Sequence, residues 1–228
     1  MFNIQILKKG RRITPFSLGS IANIEQWLDA SQITGLTNNE PLSIWNDLSG
    51  NGRNITSFTG GPLYKTNIQN NMAAVGLESN QGMTGTYTRN SGDFTTVCVC
   101  KLTSTTNSTR RLLNGSNNWL VGPFQGAWKA YAGGALFTDS GLALDTNALV
   151  VVLRQIDGAA TVEIFAGNMA NTDTQTATIW PGTINFGRVG AFAEDFLGNL
   201  LEFAVYSRAL SNTEIQSIFT GLNSKWAI

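Results

Sequence analysis

Any acid–base catalysis by this sequence would have to rely on carboxylates, because its 228 residues include no histidine. That absence excludes Ser-His-Asp and Cys-His nucleophilic centres and histidine metal sites. Retaining glycoside hydrolysis needs two carboxyl groups about 5 Å apart. Glu194 and Asp195 are adjacent, so their side chains would point to opposite faces of a strand, and Glu202 stands alone. We therefore predict a protein that is not an enzyme, in which Glu202 has a structural role.

Four aromatic residues lie in a segment rich in glycine and asparagine, a composition typical of loops. The segment is NNWLVGPFQGAWKAYAGG, and its aromatic residues are Trp119, Phe124, Trp128 and Tyr131. Exposed aromatic rings stack on sugar rings, so these four residues form a candidate carbohydrate-binding site. Large aromatic side chains are also highly buried on average, so a place in the core is the alternative for each of them.

A second candidate site is the segment NDLSGNGRN, which offers oxygen ligands at alternate positions. Asp47, Ser49 and Asn51 could contribute to a calcium site, since Ca²⁺ binds carboxylate and carbonyl oxygens. The same residue types are frequent in turns, and the sequence favours that interpretation. We expect no cofactor, with calcium as the one alternative.

The charge balance gives no reason to expect a nucleic acid or a membrane as partner. Fifteen lysine and arginine residues balance fifteen aspartate and glutamate residues, so no overall field would attract either. No apolar run approaches the roughly 18 residues that a membrane helix needs. The N-terminus, MFNIQILKKGRR, lacks the apolar core of a signal peptide, so we expect synthesis in the cytoplasm without secretion.

Residues 1–20 differ from the rest and are predicted to form an N-terminal arm. Lys8, Lys9, Arg11 and Arg12 place four of the fifteen basic residues within five positions, between the apolar segments FNIQIL and ITPF. Such an arm could pair with another subunit or a larger assembly by strand addition. A frayed terminus or an extra edge strand is the alternative.

Residues 21–228 are predicted to form one all-β domain. Short apolar or alternating runs, such as LSIW, FTTVCVCKL and NLLEFAVY, are separated by Gly, Asn, Ser and Thr clusters typical of turns. Asp157-Gly158 has the composition of a tight turn and predicts a β-hairpin. Cys98 and Cys100 would share one strand face at a spacing unsuited to a disulfide, so we expect two buried free thiols.

One helix is predicted at the C-terminus. Ser211 is a candidate N-cap, and Glu214 can complete a capping box. Four apolar residues then follow with the spacing of a single helical face: Ile215, Ile218, Phe219 and Leu222. This stripe should pack on a sheet. Strict alternation along NLLEFAVY would put Leu201 on the same strand face as Phe203.

Both ends of the domain carry a spaced pattern of tryptophan, glycine and acidic residues. The opening end has WLDAS, a second tryptophan in SIW and the motif DLSGNG, from Trp27 to Gly52. The closing end has LLEFAVY, then SRALS and a helix that ends in Lys225-Trp226. Together they resemble the laminin-G-like jelly rolls of the concanavalin A-like lectin and glucanase superfamily. The resemblance implies a two-sheet antiparallel β-sandwich (jelly roll) with one short C-terminal helix packed on it.

The resemblance leaves three functions open. Such jelly rolls occur in phage structural proteins, as head decorations or as tail-fibre and baseplate modules, usually with a short anchoring segment. The missing catalytic set, the unpaired thiols and the basic arm favour a non-enzymatic virion protein. It would be anchored to other virion proteins through residues 1–20, form a homo-oligomer and be able to bind host glycans. A lectin-like carbohydrate-binding module is the alternative, and a glycoside hydrolase is least favoured.

Overall fold

A computed structural model of the chain describes five segments: residues 16–105, 110–132, 138–177, 179–188 and 194–228. The basic residues of the predicted arm, Lys8, Lys9, Arg11 and Arg12, lie outside the described residues. Within those five segments, no helix combines the length and the apolar character required to cross a membrane.

Sixteen β-strands make up most of the regular structure in these segments. The first eight are β1 (Ile24–Asp29), β2 (Ser57–Thr59), β3 (Leu63–Gln69), β4 (Met72–Leu77), β5 (Gly82–Thr84), β6 (Thr88–Arg89), β7 (Phe94–Leu102) and β8 (Leu113–Gly115). The other eight are β9 (Trp119–Phe124), β10 (Ala127–Ala132), β11 (Thr138–Ala143), β12 (Ala148–Ile156), β13 (Thr161–Ala166), β14 (Thr172–Thr176), β15 (Gly182–Gly187) and β16 (Gly198–Tyr206). One helix, α1 (Asn212–Trp226), follows, and short 3-10 turns at Leu18–Ser20 and Ala30–Gln32 flank β1.

The strands form two antiparallel sheets of eight strands each within the described segments. The first sheet has the order β14-β13-β12-β7-β16-β4-β3, with β1 paired to β16, and the second has the order β11-β10-β9-β8-β15-β5-β2, with β6 paired to β15. The main core lies between the sheets. Helix α1 and the residues before β1 form a second apolar cluster on the outer face of the first sheet. This arrangement confirms the predicted all-β sandwich with one C-terminal helix.

Strands β7 and β16 are apolar on both faces because the first sheet is covered on both sides. Cys98 and Cys100 of β7 face the main core, whereas Val97 and Val99 face α1. Both cysteines are free and buried, as predicted, and burial raises the pKa of the Cys98 thiol well above its ordinary value. A buried thiol of this kind packs as a small apolar group.

A β-bulge in β16 changes which side chains face the core. The pairing of β16 with β7 shifts by one residue between Leu200 and Glu202. Leu200 therefore faces the main core with Phe203, while Leu201 lies in the cluster beneath α1. The predicted grouping of Leu201 with Phe203 is wrong, because an inserted residue interrupts the alternation of a strand.

The predicted hairpin joins β12 to β13, and its turn is longer than the Asp157-Gly158 pair. Ile156 pairs with Thr161, so residues 157–160 form the turn. The Ala160 N–H donates to the Asp157 carbonyl oxygen at 2.9 Å. Ala160, with a φ of 47°, adopts the left-handed conformation expected near a tight turn.

The capping box of α1 forms as predicted. The Glu214 N–H donates to the Ser211 hydroxyl at 3.3 Å, and the Ser211 N–H donates to the Glu214 carboxylate at 2.8 Å. Hydrogen bonds from Arg208 and Ser211 lower the pKa of Glu214 to about 2. The predicted apolar stripe is buried, together with Trp226 at the end of the helix.

Residues 16–20, the last part of the predicted arm, pack on the domain. Leu18 is buried beneath α1, and the Tyr206 hydroxyl donates to the Leu18 carbonyl oxygen at 3.0 Å. The Phe16 ring lies so close to Gly221 of α1 that a Cβ at Gly221 would overlap the Phe16 ring carbon Cγ. A glycine inside a helix costs about 1 kcal/mol relative to alanine. Gly221 is explained by this notch, which holds Phe16. The predicted arm of residues 1–20 stays a prediction for residues 1–15, which lie outside the described residues.

Replacing Gly221 by alanine should lower the free energy of unfolding, even though alanine is the better helix former. The added methyl group overlaps Phe16, and overpacking of this kind typically costs about 1–3 kcal/mol. In a Phe16→Ala background the overlap is gone, so Gly221→Ala should then stabilise by up to about 1 kcal/mol. Urea unfolding of the four proteins measures this, with Ser217→Ala on the exposed face of α1 as control. An equal gain from Gly221→Ala in both backgrounds would contradict the notch.

Candidate functional site

Two of the four predicted sugar-stacking residues are core residues. Trp119 in β9 and Trp128 in β10 are both 0% exposed and belong to the main core between the sheets. The Trp119 ring centroid lies 5.9 Å from that of Phe94. Their prediction as sugar-stacking residues is therefore wrong, since strand alternation turns both rings inward, where they fill the space between the sheets.

Phe124 and Tyr131 differ from these tryptophans in being only half-buried. Tyr131 alternates along β10 with buried neighbours and lies on the opposite side of the strand from Trp128. Near Phe124, the Lys129 ammonium lies 5.9 Å from the ring centroid and pairs with Asp139 at 2.9 Å. The structure thus separates the four aromatic residues between two faces of one sheet. A role of Phe124 and Tyr131 in binding stays a prediction.

The predicted calcium ligands form a turn that is organised by Asp47. One carboxylate oxygen of Asp47 accepts hydrogen bonds from the Trp27 N–H at 2.9 Å and the Ser49 N–H at 3.0 Å. The other accepts from the Arg53 N–H at 2.9 Å and the Ser49 hydroxyl at 2.8 Å. The Asn51 side chain donates to backbone carbonyl groups of β1. These four hydrogen bonds fill the roughly four acceptor positions of the Asp47 carboxylate, which fits the turn interpretation, and a calcium site at Asp47, Ser49 and Asn51 stays a prediction.

Glu202 accepts three hydrogen bonds at the junction of β1, β16 and α1. One of its oxygens accepts from the Trp27 indole at 2.8 Å, and the other accepts from the Trp226 indole and the Lys225 ammonium, both at 2.8 Å. Lys225 also donates to Asp29 at 2.6 Å. Glu202 and Asp29 are only 1% and 3% exposed. Burial raises the pKa of Glu202, and the charge of Asp29 raises it further. These contacts fit the structural role predicted for Glu202.

The other two carboxylates considered from the sequence take different partners. Glu194 pairs with Arg111 at 2.7 Å. Asp195 accepts a hydrogen bond from the Ser79 hydroxyl at 2.8 Å. Neither makes a hydrogen bond to the other, and the described segments hold no group of three or more acidic, cysteine or histidine side chains suited to a metal ion.

A pocket of about 200 Å³ lies between two segments after β1, residues 29–36 and residues 43–48. We call it the loop pocket. Ile44 and Leu48, which are 41% and 37% exposed, both line it. No other large apolar side chain in the part of the chain that the structure describes is as exposed to solvent. The largest exposed apolar side chains therefore coincide with a concave surface.

Polar side chains complete the wall of the loop pocket. Gln32 and Asn46 contribute carboxamide groups, Thr34 and Ser43 contribute hydroxyl groups, and all four residues are exposed. Carboxamides and hydroxyls can both donate and accept hydrogen bonds. The loop pocket thus combines apolar contact area with hydrogen-bonding groups of both kinds.

Trp45, which also lines the loop pocket, has a buried indole N–H without a hydrogen-bond partner among the described residues. The residue is 1% exposed, and its backbone is held by two hydrogen bonds of 2.9 Å to Ile55. Its indole nitrogen Nε1 has no hydrogen-bond partner among the described residues. A buried donor without an acceptor costs about 1–3 kcal/mol, so such a group calls for an explanation.

The loop pocket was not predicted from the sequence. The run LSIW, residues 42–45, is among the apolar runs that predict the all-β domain, but it forms no strand in the structure. The pairing there is limited to two isolated bridges, Pro41 with Leu63 and Trp45 with Ile55. The available signal was the pair Ile44 and Leu48, two apolar residues close to the polar residues Asn46 and Asp47. The distance between that turn and residues 29–36 could not be deduced from the pattern.

Comparisons with known proteins show that the fold is shared with solved structures, but they identify no family for the chain. No protein-family model matches the chain, and no curated protein matches it in sequence. The structure is similar to the binding domain of Paraclostridial Mosquitocidal Protein 1, with a TM-score of 0.63 and 16% identity over 90% of this chain and 53% of that one. At this identity the likeness concerns the fold alone.

Two carbohydrate-complexed structures are also similar. Domain 4 of an extracellular arabinanase from Geobacillus stearothermophilus, in complex with arabinotriose, has a TM-score of 0.58 and 13% identity over 80% of this chain and 99% of that domain. The Trypanosoma rangeli sialidase in complex with sialic acid has a TM-score of 0.56 and 16% identity over 90% of this chain and 33% of the sialidase. The chain thus spans about half of the mosquitocidal binding domain and a third of the sialidase.

Replacing Lys225 by methionine should destabilise the protein by about 3 kcal/mol at neutral pH, because it leaves two buried carboxylates without their cation. Glu202 can then be neutralised by a proton. Since its pKa is already raised, the loss should be smaller at acidic pH than at neutral pH. Chemical denaturation at the two pH values measures both effects.

The matched control is Lys65→Met, which removes an ion pair to Glu78, whose side chain is 63% exposed. Exposed pairs contribute about 0–1 kcal/mol, so this change should have little effect at either pH. Adding Glu202→Gln to Lys225→Met should recover part of the lost stability. Equal losses from Lys225→Met and Lys65→Met would show that the buried network does not stabilise the fold.

Proposed function

We propose that the chain is a carbohydrate-binding β-sandwich module and that the loop pocket is its binding site. The observation that carries this proposal is the position of Ile44 and Leu48, whose exposed side chains both line one pocket beside hydroxyl and carboxamide groups. A sugar ring has apolar C–H faces and a rim of hydroxyl groups. The loop pocket offers a complement to both parts of such a ring.

The size of the loop pocket favours a small ligand. Its volume of about 200 Å³ is below the range of about 300–1,000 Å³ that is typical for drug-sized ligands. One sugar ring, at the end of a chain or as a branch, suits this volume better than a buried oligosaccharide. The rest of a glycan would extend into solvent past Gln32 and Ser43, which are exposed.

The unpartnered indole of Trp45 supports the same proposal. Binding sites commonly contain polar groups that find their partner only in the complex. The indole nitrogen is buried as well as unpaired among the described residues, so a sugar hydroxyl oxygen would satisfy it only if the ligand reaches it through the pocket. The arabinotriose in complex with one similar domain adds support at the level of the fold.

Removing the apolar wall of the loop pocket should weaken sugar binding at least about ten-fold, or about 1.4 kcal/mol. The variants are Ile44→Ser and Leu48→Ser, whose exposed side chains can be replaced with little effect on folding. A glycan array identifies the oligosaccharides bound by the wild-type protein, and titration calorimetry with those oligosaccharides measures the variants.

Two further comparisons separate this site from the alternatives. Trp45→Phe should weaken binding, whereas Trp119→Phe should not, although Trp119 is equally buried and its indole is also unpartnered among the described residues. Phe124→Ala and Tyr131→Ala test the surface predicted from the sequence. Sugar binding that survives Ile44→Ser but is lost in Phe124→Ala would refute the loop pocket. The absence of any sugar binding would refute the module.

A second proposed function is that of a structural protein of a phage particle, with residues 1–15 as the anchoring arm and glycan binding as a compatible activity. One observation favours it. Phe16 and Leu18 pack against α1 and the first sheet, so a segment preceding residue 16 would leave the domain from a fixed point. A fixed exit point suits an arm that docks on a neighbouring subunit.

Deleting residues 1–15 should abolish incorporation into particles and leave the domain folded. The deletion stops before Phe16 because removal of Phe16 and Leu18 would expose the cluster beneath α1. Particle assembly with tagged protein measures incorporation, and thermal unfolding measures the fold. A second variant keeps the full chain and removes only the basic charge of the arm. In it, glutamine replaces Lys8, Lys9, Arg11 and Arg12. Normal incorporation of the shortened protein would refute anchoring by this arm.

A further inference from the structure

The charges around the loop pocket are acidic. Asp29 is the one ionisable side chain among the described residues that line it, and no lysine or arginine lines it. Asp47 lies in the same loop, between the lining residues Asn46 and Leu48. The described lining of the pocket therefore offers an anionic ligand no cation, and its one ionisable group is the carboxylate of Asp29, which is 3% exposed.

Two cations that pair with residues of β1 and β16 are already bound to acidic groups. Lys225 donates to Asp29 at 2.6 Å and to Glu202 at 2.8 Å, so one ammonium serves two carboxylates. Arg53, which follows the loop, pairs with Glu25 at 2.9 Å. Neither Lys225 nor Arg53 lines the loop pocket.

A ligand carboxylate or phosphate would lose its hydration in this pocket without gaining a cation. An uncompensated charge is costly to desolvate, and juxtaposed like charges cost several kcal/mol. A neutral sugar meets no such penalty, because its hydroxyl groups match the hydroxyl and carboxamide groups of the wall. Rejection by an unpaired charge is a general means of specificity.

We propose that the loop pocket binds neutral sugars and excludes sugars that carry a carboxylate or a phosphate, a selectivity that rests on the proposed carbohydrate-binding function. Asp29 is its specificity-determining residue. The two oxygens of Asp29 are held by Ser31 and by Lys225, which fixes the carboxylate at the pocket.

The test compares ligands of one shape and different charge. Neutral gluco-, galacto-, xylo- and arabino-oligosaccharides are titrated by calorimetry against counterparts that end in a uronic acid, against the methyl esters of those acids, and against sialylated galacto-oligosaccharides. We expect the acidic sugars to bind at least about ten-fold more weakly than the neutral ones. The methyl esters should recover most of the lost affinity, because they remove the charge and leave the protein unchanged.

A variant pair assigns the effect to Asp29. Asp29→Asn keeps an oxygen acceptor for the Ser31 N–H and leaves Lys225 with Glu202, and it should reduce the difference between neutral and acidic sugars. The control is Asp139→Asn, which changes an aspartate that is also paired with a lysine, at 2.9 Å, but does not line the pocket. It should leave the difference unchanged.

The outcomes distinguish this selectivity from the proposed function. If acidic sugars bind as tightly as neutral ones and Ile44→Ser abolishes this binding, the selectivity is overturned and the binding site stays in place. Weak binding of both the acids and their methyl esters would also overturn it, because size and not charge would then be the cause. The absence of binding by every sugar would overturn the proposed function and the selectivity together.

Discussion

The buried contacts of Glu202 hold together the parts of the molecule that a β-sandwich alone would leave independent. Its carboxylate joins Trp27 of β1 to Lys225 and Trp226 at the end of α1. A carboxylate that is 1% exposed is tolerated only when its oxygens accept hydrogen bonds. The positions of the three donors therefore depend on one another. The other end of α1 is held by Ser211, Glu214 and Arg208, so specific polar contacts position both ends of the helix.

The same contacts extend to the loop pocket. Lys225 binds Asp29, and Asp29 in turn accepts from the Ser31 N–H and hydroxyl, which begins the turn that forms one wall. The backbone of Trp27 binds Asp47, which organises the turn after the other wall. Both walls are therefore anchored to β1 before any ligand is present. A site held in this way loses little conformational entropy on binding.

Local patterns in the sequence predicted the elements, and long-range contacts determined the rest. The capping box of α1, the apolar runs of β7 and β12 and the β12–β13 hairpin depend on neighbours a few residues away. The bulge near Leu201 and the inward orientation of Trp119 depend on pairing with distant strands. The loop pocket depends on Asp47 reaching Trp27, twenty residues earlier, and on Glu202 reaching Trp27, 175 residues earlier. The spacing of apolar and polar residues along the sequence does not reveal contacts between residues this far apart.

The fold by itself cannot decide what the protein binds, because its sandwich is shared by domains with different ligands. One similar domain is in complex with arabinotriose, and this chain also resembles about a third of a sialidase that is in complex with sialic acid. The loops of such a sandwich can vary in sequence because the sheets and α1 supply the stability. In this chain the loops after β1 place a carboxylate and two exposed apolar side chains around one small pocket. That local chemistry, more than the shared architecture, is the physical basis for inferring a neutral sugar as ligand.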